Sequence, residues 1–301
     1  MEEYISNPNL ALALDTLIYI ASAFILFFLG KVAYNIAYKK IDVKSELVKK
    51  DNLAFALANV GFYIGLLLAI GSVIIGPSYG ILVDVMDIFI FGALAIILLL
   101  FSAFIMDKVI LAKFSTTKEI IEDQNPGTGV VVAANFIASG LIISGAMVGE
   151  GKNFFPDMAG GYIFSGIITA VVFWIAGQVV MILAAFVYNM ITPYDIHKHI
   201  EKDNIAVGIG FAGALTALAI LISHATAGDF FSWQEHFTKI AIEVIIGFIF
   251  LPVVRIITDK ILLPGEKLTD EIINQEKPNI GASIIEAFAY VGGAVLITWC
   301  L

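Results

Sequence analysis

Among the ionisable side chains that lie within long apolar stretches of this sequence, four stand out: Lys31, Glu243, Arg255 and Glu286. A charged side chain at membrane depth costs roughly 2.5 to 3.5 kcal/mol on insertion scales, so it needs a partner, water or a function. Residues of this kind often mark the path of an ion or a proton through a membrane. The sequence therefore directs attention first to a polar site within the membrane.

Arg255 is the only arginine of the chain, and it follows Pro252 near one end of an apolar stretch. Glu286 lies in the next apolar stretch at a similar predicted depth. Because a guanidinium and a carboxylate usually form a bidentate pair, we predict that Arg255 and Glu286 meet. Asp259 shares the helical face of Arg255 and is expected to be a second acceptor. The pair either fixes helix packing or binds an ion or substrate, and the sequence leaves both interpretations open.

Glu243 has no predicted basic neighbour at its depth, which favours a carboxyl that is simply protonated or that faces water near the outer mouth. Proton exchange at Glu243 is the alternative. Lys31 is within snorkelling reach of water, and Asn135 is the polar residue of the first half nearest to the counterpart of Glu286. The predicted polar membrane site comprises Lys31, Asn135, Glu243, Arg255, Asp259 and Glu286. We predict no catalytic residue, no cofactor and no metal ligand.

Composition places the chain in a lipid bilayer. Of its 301 residues 59% are hydrophobic and only 14% are charged, whereas soluble domains carry about a quarter charged residues. The net charge of −9 argues against nucleic acid as a partner, because binding phosphates needs a basic face. The sequence has no phosphate-binding glycine loop, no His-Glu-x-x-His pair and no nucleophile elbow. We therefore do not expect an enzyme.

A spanning helix needs roughly 20 apolar residues, and eight stretches qualify. They are Leu12–Tyr38, Asn52–Ile75, Ile81–Met106, Gly127–Gly149, Tyr162–Met190, Asn204–Ala227, Phe237–Thr258 and Asn279–Leu301. Small residues four apart, as in Gly61-x-x-x-Gly65, favour close helix contacts. They are most frequent in the second, fourth, sixth and eighth stretches, which we expect to be central. The fold class is an all-α integral membrane protein.

The segment Lys50-Asp51-Asn52-Leu53-Ala54 recurs as Lys202-Asp203-Asn204-Ile205-Ala206, and Asp107-Lys108 recurs in the same register as Asp259-Lys260. Matched markers at one spacing indicate a duplicated unit. Because each copy holds four stretches, both copies enter the membrane in the same direction. We predict two parallel four-helix repeats, 1–150 and 162–301, joined by an outer linker, 151–161. In each marker the Asp is expected to cap the following helix.

The same register shows that the membrane charges are not duplicated. It maps Glu243, Arg255 and Glu286 onto Phe91, Ala103 and Ala134 of the first half. The predicted polar site is therefore asymmetric and belongs mainly to the second repeat. The predicted outer face also carries a set of acidic residues: Asp84, Asp87, Glu150, Asp157, Asp229 and Glu235. These residues either concentrate cations near a mouth or are simply solvated.

Lysines mark the connections after the first, third, fifth and seventh stretches: Lys39, Lys40, Lys44, Lys49, Lys50, Lys108, Lys113, Lys118, Lys198, Lys202, Lys260, Lys267 and Lys277. The opposite connections hold only Lys152 and Lys239. Because short loops rich in lysine stay in the cytoplasm, we predict that both termini lie outside, in the periplasm of a bacterial inner (plasma) membrane. Among the inner links, Thr116-x-x-Glu119 is predicted to cap a short amphipathic helix.

Each half of the chain resembles the YjfL-like domain, a bacterial inner-membrane family of unknown function. The resemblance rests on the polar link followed by Asp-Asn-x-Ala, on Arg255 and on the Glu-Ile-Ile stretches. It also rests on the run Gly-Ala-x-Ile-Ile-Glu-Ala from Gly281 to Ala287. The first half departs from the pattern because it lacks counterparts of Arg255 and Glu286. The resemblance implies a tandem pair of four-span units and names no reaction.

The sequence is compatible with two functions. The first is a channel or transporter for an ion or small solute, with the polar site in the second repeat. The alternative is a non-transporting partner, an envelope-stress or assembly component that docks a cytosolic protein on its inner links. A polar cavity reaching Glu243 or Glu286 would favour transport, and a dry bundle with paired charges would favour the partner. The expected partners are the lipid bilayer, such a cytosolic protein and a second copy of the chain.

Overall fold

The computed structural model describes residues 7–39, 41–262 and 265–301, and gives no side-chain placement for position 262. The first six residues of the predicted first repeat and the predicted inner lysine Lys40 lie outside the described residues. Everything below concerns the described part of the chain.

Ten α-helices account for most of the structure. They are α1 Pro8–Ala37, α2 Leu53–Ile75, α3 Ile81–Ile105, α4 Thr116–Ile121, α5 Pro126–Met147, α6 Gly161–Ile191, α7 Ile196–Glu201, α8 Ile205–Thr226, α9 Trp233–Ile257 and α10 Ile280–Cys300. Four π-helical turns complete them at Ser45–Lys49, Met106–Ile110, Thr258–Leu262 and Asp270–Asn274. Eight of the helices are long and apolar enough to cross a membrane. With no strand in the described ranges, the predicted eight-span, all-α fold class is confirmed.

The long helices form two rows. In the central row α2 packs on α5, α5 on α8 and α8 on α10. In the outer row α1 contacts α3, α3 contacts α6 and α6 contacts α9. All four helices that were expected to be central form this row. Within it α5 and α8 are the most buried spans, and α10, at one end of the row, is the least buried of the four.

Small residues allow the helices of the central row to approach closely. At each of its three interfaces a glycine faces the backbone of the neighbouring helix: Gly61 against Ala133, Gly208 against Gly127, and Gly213 against Ala287. A Cβ at any of these glycines would overlap the opposing chain. In lipid, where apolar burial offers little driving force between helices, such close backbone packing is a main source of association.

An asparagine caps the start of every helix in the central row. The Oδ1 atoms of Asn52, Asn125, Asn204 and Asn279 each accept a hydrogen bond from the backbone N–H three residues later, at 3.0 to 3.1 Å. The prediction that Asp51 and Asp203 are the caps is wrong by one position. Those two residues precede the caps and have positive φ angles of 50° and 61°. Similarly, α4 begins at Thr116 as predicted, but Ser115 is its cap.

The amide groups of three of these asparagines also bind the next part of the chain. Asn52 Nδ2 donates to the carbonyl of Ile120 at 2.8 Å, Asn125 Nδ2 to that of Ile200 at 2.6 Å, and Asn204 Nδ2 to that of Ile272 at 2.9 Å. The chain is therefore built from four units, each with two long helices: α1–α2, α3–α5, α6–α8 and α9–α10. The capping asparagine of each of the first three units ties that unit to the following one. We call the end of the bundle that holds these asparagines the cap end.

In three of the units a glutamate holds the amide of the capping asparagine. Glu46 Oε2 accepts from Asn52 at 2.9 Å and Glu119 Oε2 from Asn125 at 2.9 Å. In the last unit Glu271 Oε2 accepts from Asn279 at 2.6 Å. In the first two of these units the bond holds the asparagine side chain in the orientation that reaches the next unit.

Replacing Asn125 by alanine should destabilise the protein more than replacing Asn279. Asn125→Ala removes a helix cap, worth about 1 kcal/mol. It also leaves the Ile200 carbonyl and the Glu119 carboxylate without their donor in a buried site, which adds about 1 to 3 kcal/mol. Asn279 is exposed and its amide binds Glu271 of its own unit, so Asn279→Ala should lose little beyond the cap. Unfolding in mixed micelles measures both; equal losses would contradict the inter-unit role.

Glu119 makes the stability depend on pH. Its burial raises the pKa of the Glu119 carboxyl above the ordinary value of 4.5, while the bond from Asn125 acts in the opposite direction. The folded state thus favours the neutral acid, and this contribution to stability is full below pH 4.5 and lost as the pH rises through the raised pKa. Glu119→Gln keeps an acceptor for Asn125 without a charge. Its advantage in Tm over the wild type should grow from pH 4.5 to pH 7; a constant difference would refute this origin.

Candidate functional site

The structure distributes the six residues of the predicted polar site over several places. Arg255, Asp259 and Glu286 lie towards the cap end of the last unit. Glu243 lies nearer the opposite end of α9, and Asn135 lies between α5 and α3. Lys31 is exposed on α1. The predicted residues therefore do not form one site.

Arg255 and Glu286 meet as predicted. Arg255 Nη1 donates to Glu286 Oε1 at 2.7 Å, and both side chains are buried, with 9% and 0% exposure. The second nitrogen, Nη2, donates to Thr269 Oγ1 at 3.1 Å instead of to the second carboxylate oxygen. The pair is thus held by one charge-assisted bond rather than by the expected bidentate arrangement.

Three tyrosines enclose this ion pair. Tyr290 donates to Glu286 Oε1 at 3.1 Å, and Tyr188 approaches the same oxygen at 3.5 Å. The Arg255 guanidinium lies over the ring of Tyr194, 5.8 Å from its centroid. Burial raises the pKa of Tyr194 to about 12, so its hydroxyl remains neutral. The cluster joins α6, α9 and α10 at the level of the membrane.

The second oxygen of Glu286 lies against α8. Glu286 Oε2 is buried without a hydrogen-bond partner in the described structure. It occupies the space in front of Gly210, where an added Cβ would collide with it. The absence of a side chain at Gly210 therefore makes room for the carboxylate between α8 and α10.

The prediction that Asp259 is a second acceptor for Arg255 is wrong. Asp259 Oδ1 accepts a hydrogen bond from the backbone N–H of Leu268 at 2.7 Å. In the first half its counterpart Asp107 accepts from the N–H of Thr116 at 3.1 Å. The matched bonds show that this aspartate closes the connection after the helix in both repeats. A side chain engaged by its own loop is a structural element of the repeat.

Glu243 has a basic neighbour that the sequence did not predict. His224 Nδ1 lies 3.0 and 3.1 Å from the two carboxylate oxygens of Glu243. Glu243 is 7% exposed and His224 is 40% exposed. His224 lies in the last turn of α8, and the α8–α9 hairpin places it over Glu243. The expectation that Glu243 has no basic neighbour is therefore wrong.

Asn135 belongs to a separate polar cluster at the junction of the two repeats. Its Nδ2 donates to the backbone carbonyl of Ser102 at 3.1 Å, and Trp174 Nε1 donates to Ser102 Oγ at 2.9 Å. Together these bonds join α3, α5 and α6. Asn135 thus holds helices together and does not contribute to the Arg255 cluster.

A cavity of about 620 Å³ lies at the end of the bundle opposite the caps. Helices α1, α2, α3, α5 and α6 line it, and none of the six predicted residues does. Its polar groups include Asp84, Asp87 and Glu150, which belong to the acidic outer set noted in the sequence. The sequence could indicate these acids, but not that five helices enclose a space beside them.

Comparisons with known proteins agree with this architecture. Residues 8–147 and 162–301 each match the family described as Domain of Unknown Function (DUF350). The chain is also 18% identical over 260 residues to a protein named UPF0719 transmembrane protein from Aquifex aeolicus (strain VF5), covering 86% of this chain and 90% of that one. No solved structure matches significantly. The predicted resemblance to a tandem membrane family of unknown function is confirmed.

A double-mutant cycle should show strong coupling between Arg255 and Glu286. Removing either partner leaves the other charge buried and alone, which typically costs 3 to 5 kcal/mol. We therefore expect Arg255→Ala with Glu286→Ala to destabilise the protein by much less than the sum of the two single changes. The exposed pair of Lys113 and Asp195, 2.6 Å apart, is the matched control and should couple by less than about 1 kcal/mol. If the effects of the two single substitutions were additive, the predicted coupling between Arg255 and Glu286 would be refuted.

Proposed function

The chain belongs to the family Domain of Unknown Function (DUF350), and because that description assigns no activity we propose its role from the geometry. The protein is a multi-pass membrane protein that docks a cytosolic protein at its cap end and conducts no ion or solute. We assign it to a bacterial inner membrane with both termini outside, on the strength of the lysine distribution. This role requires no bond-making chemistry.

The observation that carries the proposal is the separation of buried charge from open space. Glu286 is paired with Arg255 at one end of the last unit, and Glu243 with His224 towards the other end. The 620 Å³ cavity is lined by neither pair. A transport path needs its binding groups to face a shared space, whereas paired charges in a dry bundle stabilise one fixed packing. The arrangement favours a static membrane partner.

The cap end has the properties of a docking surface. The bonds from Asn52, Asn125 and Asn204 to the following units hold the short segments at this end in a fixed row. Rows of repeated units present extended binding surfaces in many repeat proteins. The exposed side chains of this row carry both signs of charge, with lysines interspersed among acidic residues: Lys49, Lys50, Lys118, Glu122, Asp123, Lys198, Glu201, Lys202 and Asp203. Such a surface suits a protein partner better than an anionic polymer.

Transport remains the second candidate because of one feature. The buried oxygen Glu286 Oε2 has no hydrogen-bond partner in the described residues, and an unsatisfied membrane carboxylate often accompanies ion or proton movement. A rearrangement that opened the Arg255 cluster to water would supply the shared space that the present packing lacks.

Liposome flux separates the two candidates. Liposomes containing the wild-type protein should leak protons, sodium and potassium at the rate of protein-free liposomes, and Glu286→Gln and Glu243→Gln should leave that rate unchanged. Both substitutions keep the size of the side chain. A saturable flux in the wild type that either substitution abolishes would reverse the choice in favour of transport.

Photo-crosslinking in cells tests the docking role. A photoreactive amino acid at Glu122 or Lys202 should give a discrete adduct with one cytosolic protein, and the same group at Tyr79 or Lys152 should not. Glu122→Lys together with Asp123→Lys should weaken the adduct formed from position 202, because both changes reverse charge on the neighbouring segment. No adduct from any cap-end position, or equal adducts from both ends, would refute docking.

A further inference from the structure

We propose that the cavity opposite the cap end is a binding site for an amphiphile that carries an ammonium head group. The site lies at the seam between the two repeats, and its ligand is independent of the partner proposed for the cap end. Its volume of about 620 Å³ is too large for a bare ion and falls within the range of about 300 to 1,000 Å³ typical of sites for drug-sized ligands.

The walls of the cavity suit a hydrocarbon chain. Apolar side chains from three elements line it, among them Ile74 of α2, Ile88 and Phe91 of α3, and Met147 of α5. Near Phe91 the wall also includes Gly166 of α6, against which the Phe91 ring packs. The ends of transmembrane helices that form these walls lie at the depth of lipid head groups and upper acyl chains. An amphiphile could enter from the membrane without crossing it.

Two carboxylates in the same cavity differ in what they already bind. Asp84 is satisfied, because Tyr19 and Ser78 each donate a hydroxyl hydrogen bond to its Oδ2 at 2.6 Å and the N–H of Tyr79 donates to its Oδ1 at 2.9 Å. These bonds fasten the loop after α2 onto α1. Asp87 has a buried oxygen, Oδ1, without any hydrogen-bond partner in the described residues. Asp87 is therefore the group available to a ligand.

A buried histidine provides a second, independent indication of a ligand. His236 is 2% exposed and stacks on the ring of Phe230, with 5.1 Å between centroids. Both of its ring nitrogens lack hydrogen-bond partners in the described ranges. It lines a small chamber that shares Glu150 and Thr169 with the main cavity. Buried polar atoms are rarely left unsatisfied, so a polar group or water belonging to an occupied site is expected beside them.

The charge of these groups determines the head group. An unpaired carboxylate beside apolar walls is stabilised by a cation that can donate hydrogen bonds, and an ammonium group does both. A head group whose only charge is negative, such as a fatty-acid carboxylate, would meet Asp84, Asp87 and Glu150 with like charge and would bring no ammonium to Asp87. The ammonium could come from an aminophospholipid of the outer leaflet or from a free alkylamine, and the two sources share the same recognition chemistry.

Binding to protein in phosphatidylglycerol nanodiscs tests the site with dodecylamine as the probe and dodecanol as its neutral match. We expect saturable binding of dodecylamine that Asp87→Asn weakens roughly tenfold or more, the usual effect of losing a hydrogen bond to a charged group. Asp157→Asn removes an exposed outer carboxylate that does not line the cavity and should bind like the wild type. Equal affinity for dodecanol, no effect of Asp87→Asn, or no saturable binding would each overturn the proposal.

Native mass spectrometry of protein from lipid extracts distinguishes the sources. Retention of phosphatidylethanolamine, reduced in Asp87→Asn, identifies the lipid; binding of dodecylamine without such retention identifies a free amine. If Asp87→Asn fails to fold, carbodiimide labelling of Asp87 in the wild type replaces it. Dodecylamine should slow that labelling and dodecanol should not; labelling that neither compound slows would refute the site.

Discussion

At each of the three junctions between consecutive units, one buried asparagine forms two structural hydrogen bonds at once. In lipid each backbone polar group must be satisfied within the protein, and the start of a helix leaves several N–H groups without partners. The Oδ1 atom of each asparagine satisfies one of them. In the first three units the Nδ2 atom satisfies a carbonyl of the next unit. The same side chain therefore begins a helix and sets the position of its neighbour, which brings the glycine faces together.

The charged cluster of the last unit is related to the position of that unit at the end of the row. The helices α5 and α8 have neighbours on both sides in the row, whereas α10 contacts α8 alone within it. The bond between Arg255 and Glu286, with Tyr188 and Tyr290, ties α10 to α9 and α6 and partly replaces the missing neighbour. In the first repeat the counterpart of α10 is α5, which has a neighbour on each side in the row and lacks these charges. A buried ion pair of this kind specifies an arrangement more than it adds stability.

The sequence predicted the parts of this structure that depend on composition and periodicity. The eight apolar stretches and the repeated marker were enough to predict eight membrane spans in two parallel repeats. The similar predicted depths of Arg255 and Glu286 were enough to predict that they pair. The sequence could not resolve single-residue geometry. Asp51 and Asn52 are both good caps, and only the positive φ of Asp51 moves the cap to Asn52. The four-unit organisation stayed hidden because the links between spans differ in length and in sequence.

Tertiary proximity accounts for the remaining differences. His224 and Glu243 stand far apart in sequence, and their contact depends on how the α8–α9 hairpin closes. The outer cavity needs helices from both repeats, so no local pattern encodes it. The sequence showed the acidic residues of this region, but it did not show the apolar walls of the cavity that they line.

The central claim is that the bundle is a fixed row of units in which no water path reaches Glu286, which is paired with Arg255. A cryo-electron microscopy map of the protein in lipid nanodiscs, at a resolution that shows ordered water, tests it most directly. We expect density for the asparagine bonds between units and no chain of water between the outer cavity and the Arg255–Glu286 pair. A continuous file of water reaching that pair would contradict the claim.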